Sequence, residues 1–167
     1  MPVQRLNHAV LYVRDLERSV GFYTDALGFR VKTQVPGRAA FLQAEASTND
    51  HDLGLFAIGT QAGDSPAGRS TVGLYHLAWE VDTLAELRRI AEVLRARDSL
   101  VGASDHGTTK AIYARDPDGI AVEVSWLLPA DLLSDDITMR TEPLDLEAEI
   151  ARYGAQTRGG VGVSVPA

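Results

Sequence analysis

The sequence predicts an α+β fold built from two β-α-β-β-β units and followed by a C-terminal extension. Short runs of apolar and β-branched residues alternate with two segments of helical periodicity. The same order of elements occurs twice, over residues 6–58 and 74–127, and a stretch rich in Gly, Ser, Pro and Ala separates the two copies. After Trp126 the pattern stops, so the remaining residues form an extension.

In the first unit, the run Leu6–Val13 predicts a strand because it is short, apolar and rich in β-branched residues. Asp15 is a suitable N-cap for a helix over Leu16–Leu27. Gly28 stands where the residue after a helix C-cap belongs. Three more strands are predicted, over residues 29–34, 39–44 and 53–58.

The second unit repeats this order. Leu74–Val81 predicts its first strand, and either Asp82 or Thr83 can cap the helix that follows. Strands are predicted over 100–103, 111–115 and 120–126. A hairpin turn over Asp116–Gly119 joins the last two, because proline presets φ and glycine accepts a positive φ. The apolar face of the helix consists of Leu84, Leu87, Ile90, Ala91 and Leu94.

We therefore expect one domain over residues 1–128, containing both units, and an extension over 129–167. The extension is acidic and loop-like at first, and Leu144–Tyr153 predicts a short helix. Residues 154–167 are rich in Gly and Val, and we expect a mobile tail there. We expect the extension to cover a surface or to reach a partner chain, and we expect catalysis not to depend on it.

Composition excludes several classes of function. The chain has no cysteine, which rules out disulfide scaffolds, cysteine–zinc sites, iron–sulfur clusters and thiol nucleophiles. The net charge is -7 and the basic residues are scattered, so we expect neither nucleic acid nor an acidic membrane surface as partner. The apolar runs are too short to span a membrane, and the N-terminus lacks the apolar segment of a signal peptide. These features predict a cytoplasmic protein.

Two of the four histidines, His8 and His76, occupy equivalent positions when the units are superposed at an offset of 68 residues. Each is predicted to lie on the first strand of its unit among apolar residues. A single histidine in that setting is usually a hydrogen-bonded core residue. Two strands related by a pseudo-twofold axis, however, would turn both imidazoles toward one concave surface.

Glu123 interrupts the apolar last strand of the second unit. It follows His76 by 47 residues, and the residue 47 after His8 is Leu55, so a leucine stands at the matching place in the first unit. A carboxylate on a half-buried strand is costly unless it is paired or bound to a cation. The alternatives are an outward-facing side chain and a salt bridge to one of the fourteen arginines.

Together, His8, His76 and Glu123 offer two imidazoles and one carboxylate. Three protein ligands on one face of an octahedral ion leave about three positions open, which is the ligand pattern of non-haem Fe(II) oxygenases. A bidentate diolate and dioxygen can then share one ion. Fe(II) and Mn(II) bind such ligands similarly, so both are candidate metals.

The stretch from His106 to Glu123 resembles the signature of the extradiol ring-cleavage dioxygenases. Both contain a histidine, an aliphatic–tyrosine pair that ends here in Tyr113, an acidic–proline turn with glycine, and a closing glutamate. Ser104 departs from the pattern. The segment from Leu6 to Phe29 resembles the wider vicinal oxygen chelate superfamily, and that resemblance extends to about Trp126.

The resemblance implies that the two units form one module with a metal-binding cup. His8, His76 and Glu123 match the metal ligands of the family. His106 and Tyr113 match the histidine and tyrosine of the signature, which assist catalysis, and His51 is similar to the acid/base histidine of the active site. All four histidines thereby have a role.

The resemblance further implies the reaction, which is cleavage of a small aromatic diol by O₂ beside its hydroxyl groups, as in aromatic compound catabolism by catechol 2,3-type dioxygenases. Ring-cleaving members generally join such a module to a second, inactive one. This chain has units for a single module, so we expect a homodimer to replace the missing one.

Two rival functions stay open. Glyoxalase-type isomerases or lyases, and related epimerases and fosfomycin-modifying enzymes, form the first; glyoxalase-like sites use two histidines and two glutamates, and their second glutamate would fall at Leu55. The second rival is a metal-free protein that sequesters an aromatic antibiotic, as bleomycin-resistance proteins do. Those proteins lack the metal ligands, so metal binding by the purified chain discriminates between the classes.

Overall fold

A computed structural model describes residues 2–3, 5–134 and 137–160. The chain divides into two compact units. The first contains the described residues up to Ser65 together with Asp116–Gly119, and the second contains Pro66–Arg115 and the described residues from Ile120 onward. Within the described ranges, none of the helices has the length and apolar character needed to cross a bilayer.

The first unit is a four-stranded sheet with one helix. In the sheet the strand order is β1-β4-β3-β2, with β1 and β4 parallel and the other neighbours antiparallel. The core lies between the helix and the sheet and includes Leu16, Tyr23 and Leu55, each at most 1% exposed. The elements are β1 (Ala9–Val13), α1 (Leu16–Asp25), β2 (Arg30–Val35), β3 (Ala39–Gln43) and β4 (Leu53–Ala57).

The second unit repeats this arrangement and adds one strand from the extension. Its sheet has the order β5-β8-β7-β6-β9, and β5 and β8 are its parallel pair. The elements are β5 (Leu77–Val81), α2 (Leu84–Ala96), β6 (Leu100–Asp105), β7 (Thr109–Arg115), β8 (Ala121–Leu127), a 3₁₀ turn (Ala130–Leu132), β9 (Glu142–Pro143) and α3 (Leu146–Tyr153).

Local chemistry explains where the helices begin and end. The carboxylate of Asp15 accepts a hydrogen bond from the backbone N–H of Arg18 at the start of α1. The hydroxyl oxygen of Thr83 accepts one from the backbone N–H of Glu86 at the start of α2. Gly28 adopts a φ of 77° after α1, which a residue with a side chain rarely adopts.

The observed order of elements confirms the α+β class and the two β-α-β-β-β units that the sequence predicts.

One expectation from the sequence needs correction. His8 and His76 lie just before β1 and β5 and not on them, because β1 pairs with β4 only from Ala9 onward and β5 pairs with β8 only from Leu77 onward. A single domain over residues 1–128 stays a prediction.

The first part of the expected mobile tail, residues 154–160, is hydrogen-bonded to residues near β5 and β8, and its mobility stays a prediction. The backbone N–H groups of Gly159 and Gly160 donate to the carbonyls of Asp82 and Leu127 at 2.8 and 3.0 Å, respectively. The indole N–H of Trp126 donates to the carbonyl of Thr157 at 3.2 Å. The remainder of the expected tail, 161–167, lies outside the described residues.

Candidate active site

The second unit brings His76 and Glu123 into direct contact. β5 and β8 pair in parallel, with Ala78 opposite Glu123. Glu123 therefore lies beside the start of β5, which directly follows His76. The Nε2 atom of His76 lies 3.1 Å from an Oε atom of Glu123. The two side chains are 27% and 13% exposed. A nitrogen and an oxygen with ligand chemistry thus converge at the edge of the sheet.

The environment of Glu123 excludes both alternative explanations for this residue. Its side chain is mostly buried, so it does not face solvent. Among the described residues, neither a lysine nor an arginine forms an ion pair with it. The imidazole of His76 and the hydroxyl of Tyr113 offset part of the cost of burying this carboxylate, and a divalent cation would offset it further. The donor chemistry of the pair therefore fits a metal ion.

Tyr113 completes the surroundings of this carboxylate. It lies directly opposite Glu123 in the antiparallel pair of β7 and β8, and its hydroxyl is hydrogen-bonded to that carboxylate. Burial raises the pKa of Tyr113 above its ordinary value, and the negative charge of Glu123 and the hydrogen bond to it raise the pKa further. The phenol is therefore neutral at physiological pH and keeps its proton.

His106 extends the chain of contacts by one more residue. It lies in the turn between β6 and β7, and its Nε2 atom is 2.9 Å from the hydroxyl of Tyr113. Its Nδ1 atom is 3.0 Å from the backbone carbonyl oxygen of Arg140 in the extension. The second unit thus brings four of the predicted site residues into one connected series, namely His106, Tyr113, Glu123 and His76.

The first unit brings the other two predicted residues together. The rings of His8 and His51 lie 4.6 Å apart, centroid to centroid, and the ring of Phe41 lies 5.1 Å from that of His51. Nδ1 of His8 contacts the side-chain oxygen of Asn7 at 2.6 Å, and Nδ1 of His51 contacts a carboxylate oxygen of Asp50 at 3.0 Å. Because these partners accept hydrogen bonds, the neutral form of each ring carries its lone pair on Nε2.

The counterpart of Glu123 in the first unit is Gly54 and not Leu55. In the sheets, Val10 pairs with Gly54 as Ala78 pairs with Glu123, and Val10 precedes Ala78 by the same 68 residues that separate the two histidines. The chain between the paired strands is one residue longer in the second unit, so a fixed offset misaligns the last strand. Leu55 instead lies fully buried in the core. The first unit therefore offers no carboxylate at this place.

Neither unit, within its described residues, holds a group of three or more His, Asp or Glu side chains that could bind a metal ion. The predicted ligand set takes His8 from the first unit and His76 and Glu123 from the second. Each unit therefore contributes a part of that set, and the complete triad stays a prediction.

A cavity of about 550 Å³ lies in the second unit, next along the chain from His76. Tyr75 lines it, and the Tyr75 ring lies 4.8 Å from the ring of His76. Arg115 and Ala121 also line the cavity, and they pair with each other across β7 and β8. Each lies two residues from a member of the Tyr113–Glu123 pair, so all four side chains lie on the same face of the sheet. The volume lies in the range of small-molecule sites.

Comparison with known proteins gives matches in both sequence and fold. Residues 5–124 match the family model described as the Glyoxalase/Bleomycin resistance protein/Dioxygenase superfamily. The chain is 27% identical over 157 residues to a catechol-2,3-dioxygenase of Bacillus subtilis (strain 168), which covers 92% of this chain and 53% of that protein. It is 36% identical over 124 residues to biphenyl-2,3-diol 1,2-dioxygenase 3 of Rhodococcus globerulus, covering 72% and 62% of the two chains.

The chain thus spans between one half and two thirds of the length of these two relatives. Among solved structures, lactoylglutathione lyase from Agrobacterium tumefaciens matches with a TM-score of 0.54 and 24% identity over 75% of this chain and 95% of that one. This likeness shows a shared fold. Because proteins with dioxygenase and lyase names share that fold, the reaction has to be argued from the site.

Proposed function

The chain belongs to the glyoxalase/bleomycin resistance protein/dioxygenase superfamily, and from that premise we propose that it is an extradiol dioxygenase that cleaves a small aromatic diol with O₂. The observation that carries this proposal is the partly buried His76–Glu123 pair, 3.1 Å apart, with Tyr113 bonded to its carboxylate. Two relatives that bear dioxygenase names support it.

We propose that His8, His76 and Glu123 hold Fe(II), or Mn(II), as a set of two imidazoles and one carboxylate. When bound, such an ion supplies Lewis acidity and redox chemistry to the diol and to dioxygen. The lone pair on Nε2 of His8 is suited to this role because Nδ1 is already engaged by Asn7.

We propose that His51 and Tyr113 transfer or donate protons during the reaction. His51 has its Nδ1 atom held by Asp50, so Nε2 is the base that accepts a proton from a substrate hydroxyl and later returns it. Tyr113 holds its proton because its pKa is raised, and it donates a hydrogen bond to charge that develops on a substrate oxygen. The cavity beside Tyr75 receives the ring of the substrate.

We also propose that the chain acts in the cytoplasm as a homodimer. The edge strand β2 is exposed at all six of its residues, and an exposed edge readily pairs with another chain. Sedimentation at two protein concentrations would show whether the chain is dimeric.

Anaerobic loading with Fe(II), followed by a panel of catechols and O₂, tests the proposed activity. We expect a yellow ring-opened product from the wild type, and we expect Glu123→Gln and His76→Ala to lower turnover by at least about a hundredfold. Glu92→Gln, which changes an exposed carboxylate on α2, is the matched control and should retain full activity. Absence of product across the panel, or full activity in Glu123→Gln, would refute the proposal.

The structure weighs against the glyoxalase-like alternative. Its second glutamate would stand in the last strand of the first unit, where the observed register has Gly54 opposite Val10 and Leu55 in the core. A hemithioacetal assay with Ni(II) or Zn(II) distinguishes the two enzymes. A purified chain without affinity for any of these metals would instead favour the metal-free binding protein.

A further inference from the structure

We propose that the C-terminal extension is a positioning element for the active site, in which the backbone carbonyl of Arg140 fixes a proton of His106 on Nδ1 and so turns Nε2 toward Tyr113. The catalytic consequence rests on the proposed function, whereas the protonation of Nδ1 does not. The extension had been expected to have no part in catalysis.

The hydrogen-bond partners of His106 place a proton on its Nδ1 atom. A backbone carbonyl oxygen can only accept, so the 3.0 Å contact to Arg140 requires a proton on Nδ1. The hydroxyl of Thr141, 3.3 Å away, can accept from the same nitrogen. The orientation that these contacts give the ring places Nε2 2.9 Å from the hydroxyl of Tyr113. The extension therefore sets both the position of a proton and the direction of the ring at His106.

Arg140 is held in position by its side chain. Nε of its guanidinium donates to a carboxylate oxygen of Asp105 at 3.0 Å, a second guanidinium nitrogen contacts the same oxygen, and Nε also lies 3.3 Å from Glu142. Asp105 is the last residue of β6, next to His106, so this ion pair anchors the extension beside the histidine that it orients. Planar guanidinium–carboxylate contacts of this kind constrain geometry more than a single point charge does.

A buried lysine extends the anchor to α3. Lys110 is fully buried, and its ammonium group lies 2.5 Å from Asp105 and 2.9 Å from Glu149 of α3. Tyr153, also on α3, lies with its ring centroid 5.7 Å from the same nitrogen. A buried charge that depends on two carboxylates holds both of them firmly in place, because losing either leaves the ammonium under-compensated.

The backbone also ties the extension to the turn that carries His106. Strand β9 pairs with the end of β6, with Glu142 opposite Asp105. Gly107 follows His106 with a φ of 81°, and a Cβ atom built there would overlap the backbone oxygen of Thr138 in the extension. The turn and the extension are therefore packed without space for a side chain between them.

Two arginine variants separate positioning from general loosening. Arg140→Ala removes the contacts to Asp105 and Glu142, whereas Arg88→Ala removes the 3.4 Å ion pair to Glu147, which also ties the extension to the second unit but lies away from His106. The first readout is ¹⁵N NMR of the histidine rings in the metal-free full-length protein. We expect a proton on Nδ1 of His106 in the wild type and in Arg88→Ala, and a mixture of tautomers in Arg140→Ala.

The second readout is steady-state kinetics of the Fe(II)-loaded protein with a catechol and O₂. We expect Arg140→Ala to lower kcat about tenfold with KM changed by less than about twofold, and Arg88→Ala to resemble the wild type. Absence of a proton from Nδ1 of His106 in the wild type, or unchanged protonation of Nδ1 and an unchanged kcat in Arg140→Ala, would overturn the inference. An inactive wild type that shows the expected protonation of Nδ1 would refute the proposed function and support the positioning role.

Discussion

At the carboxylate of Glu123, one imidazole and one phenol supply the contacts, and both belong to the same unit of the fold. Burial of the carboxylate, and the absence of a lysine or arginine partner among the described residues, distinguish this position from an ordinary strand glutamate. His106 and Tyr113, which the resemblance to the dioxygenase signature names together, are in contact, and their role in catalysis stays a prediction. The resemblance did not indicate that His106 also contacts the backbone carbonyl of Arg140. Every residue has a backbone carbonyl, so a sequence motif cannot single out one of them.

Replacing Tyr113 by Phe tests the contribution of one hydroxyl. The variant loses the hydrogen bonds to Glu123 and to His106, while the ring is retained. We expect kcat with a catechol to fall by about tenfold to a hundredfold, since a positioned proton donor contributes on that order. Tyr12→Phe, at an exposed tyrosine, is the control. Equal kcat values for both variants would contradict a role for the Tyr113 hydroxyl.

At the scale of elements, helices were easier to predict than strand ends. The caps Asp15 and Thr83 act within three residues, so their effect is visible in the local sequence. The start of a strand depends on its partner, which is why the two histidines were placed on strands that begin one residue later. The counterpart of Glu123 was missed for a related reason, because only the pairing register reveals the extra residue in the second unit.

The charge cluster of Asp105, Lys110 and Arg140, which joins β6 and β7 to the extension, makes the stability of the fold depend on pH. Burial alone would raise the pKa of Asp105, but hydrogen bonds from Lys110, Arg140 and the N–H of Gly107 lower it to about 2. Because the folded pKa lies below the unfolded value, the carboxylate stabilises the protein above about pH 4, and this stabilisation is lost as the pH falls toward 2.

Asp105→Asn should therefore lower the free energy of unfolding at pH 7 by about 3 kcal/mol, because it leaves Lys110 and Arg140 without their shared partner. The difference between variant and wild type should shrink on acidification from pH 4 to pH 2. Urea unfolding at several pH values measures both effects. A difference that does not change with pH would show that the charge of Asp105 has no part in stability.

For the whole molecule, composition and the repeated order of elements predicted the fold class, and the family match agrees with them. The extension was the part that local patterns described least well. Its helix was visible in the sequence, but its role depends on Lys110, which looks like any lysine in a strand until its burial is known. Charge pairs between residues far apart in the sequence produce no periodic pattern by which they could be predicted.

The burial of Lys110 also makes this amine a built-in reporter of how often α3 separates from the sheet. The chain has only two lysines, and the other, Lys32, lies on the exposed strand β2. An acylating reagent should modify Lys32 within seconds to minutes, whereas Lys110 should react only at the rate at which the extension opens. Mass spectrometry of timed samples would then read that opening rate directly, and Arg140→Ala should accelerate it.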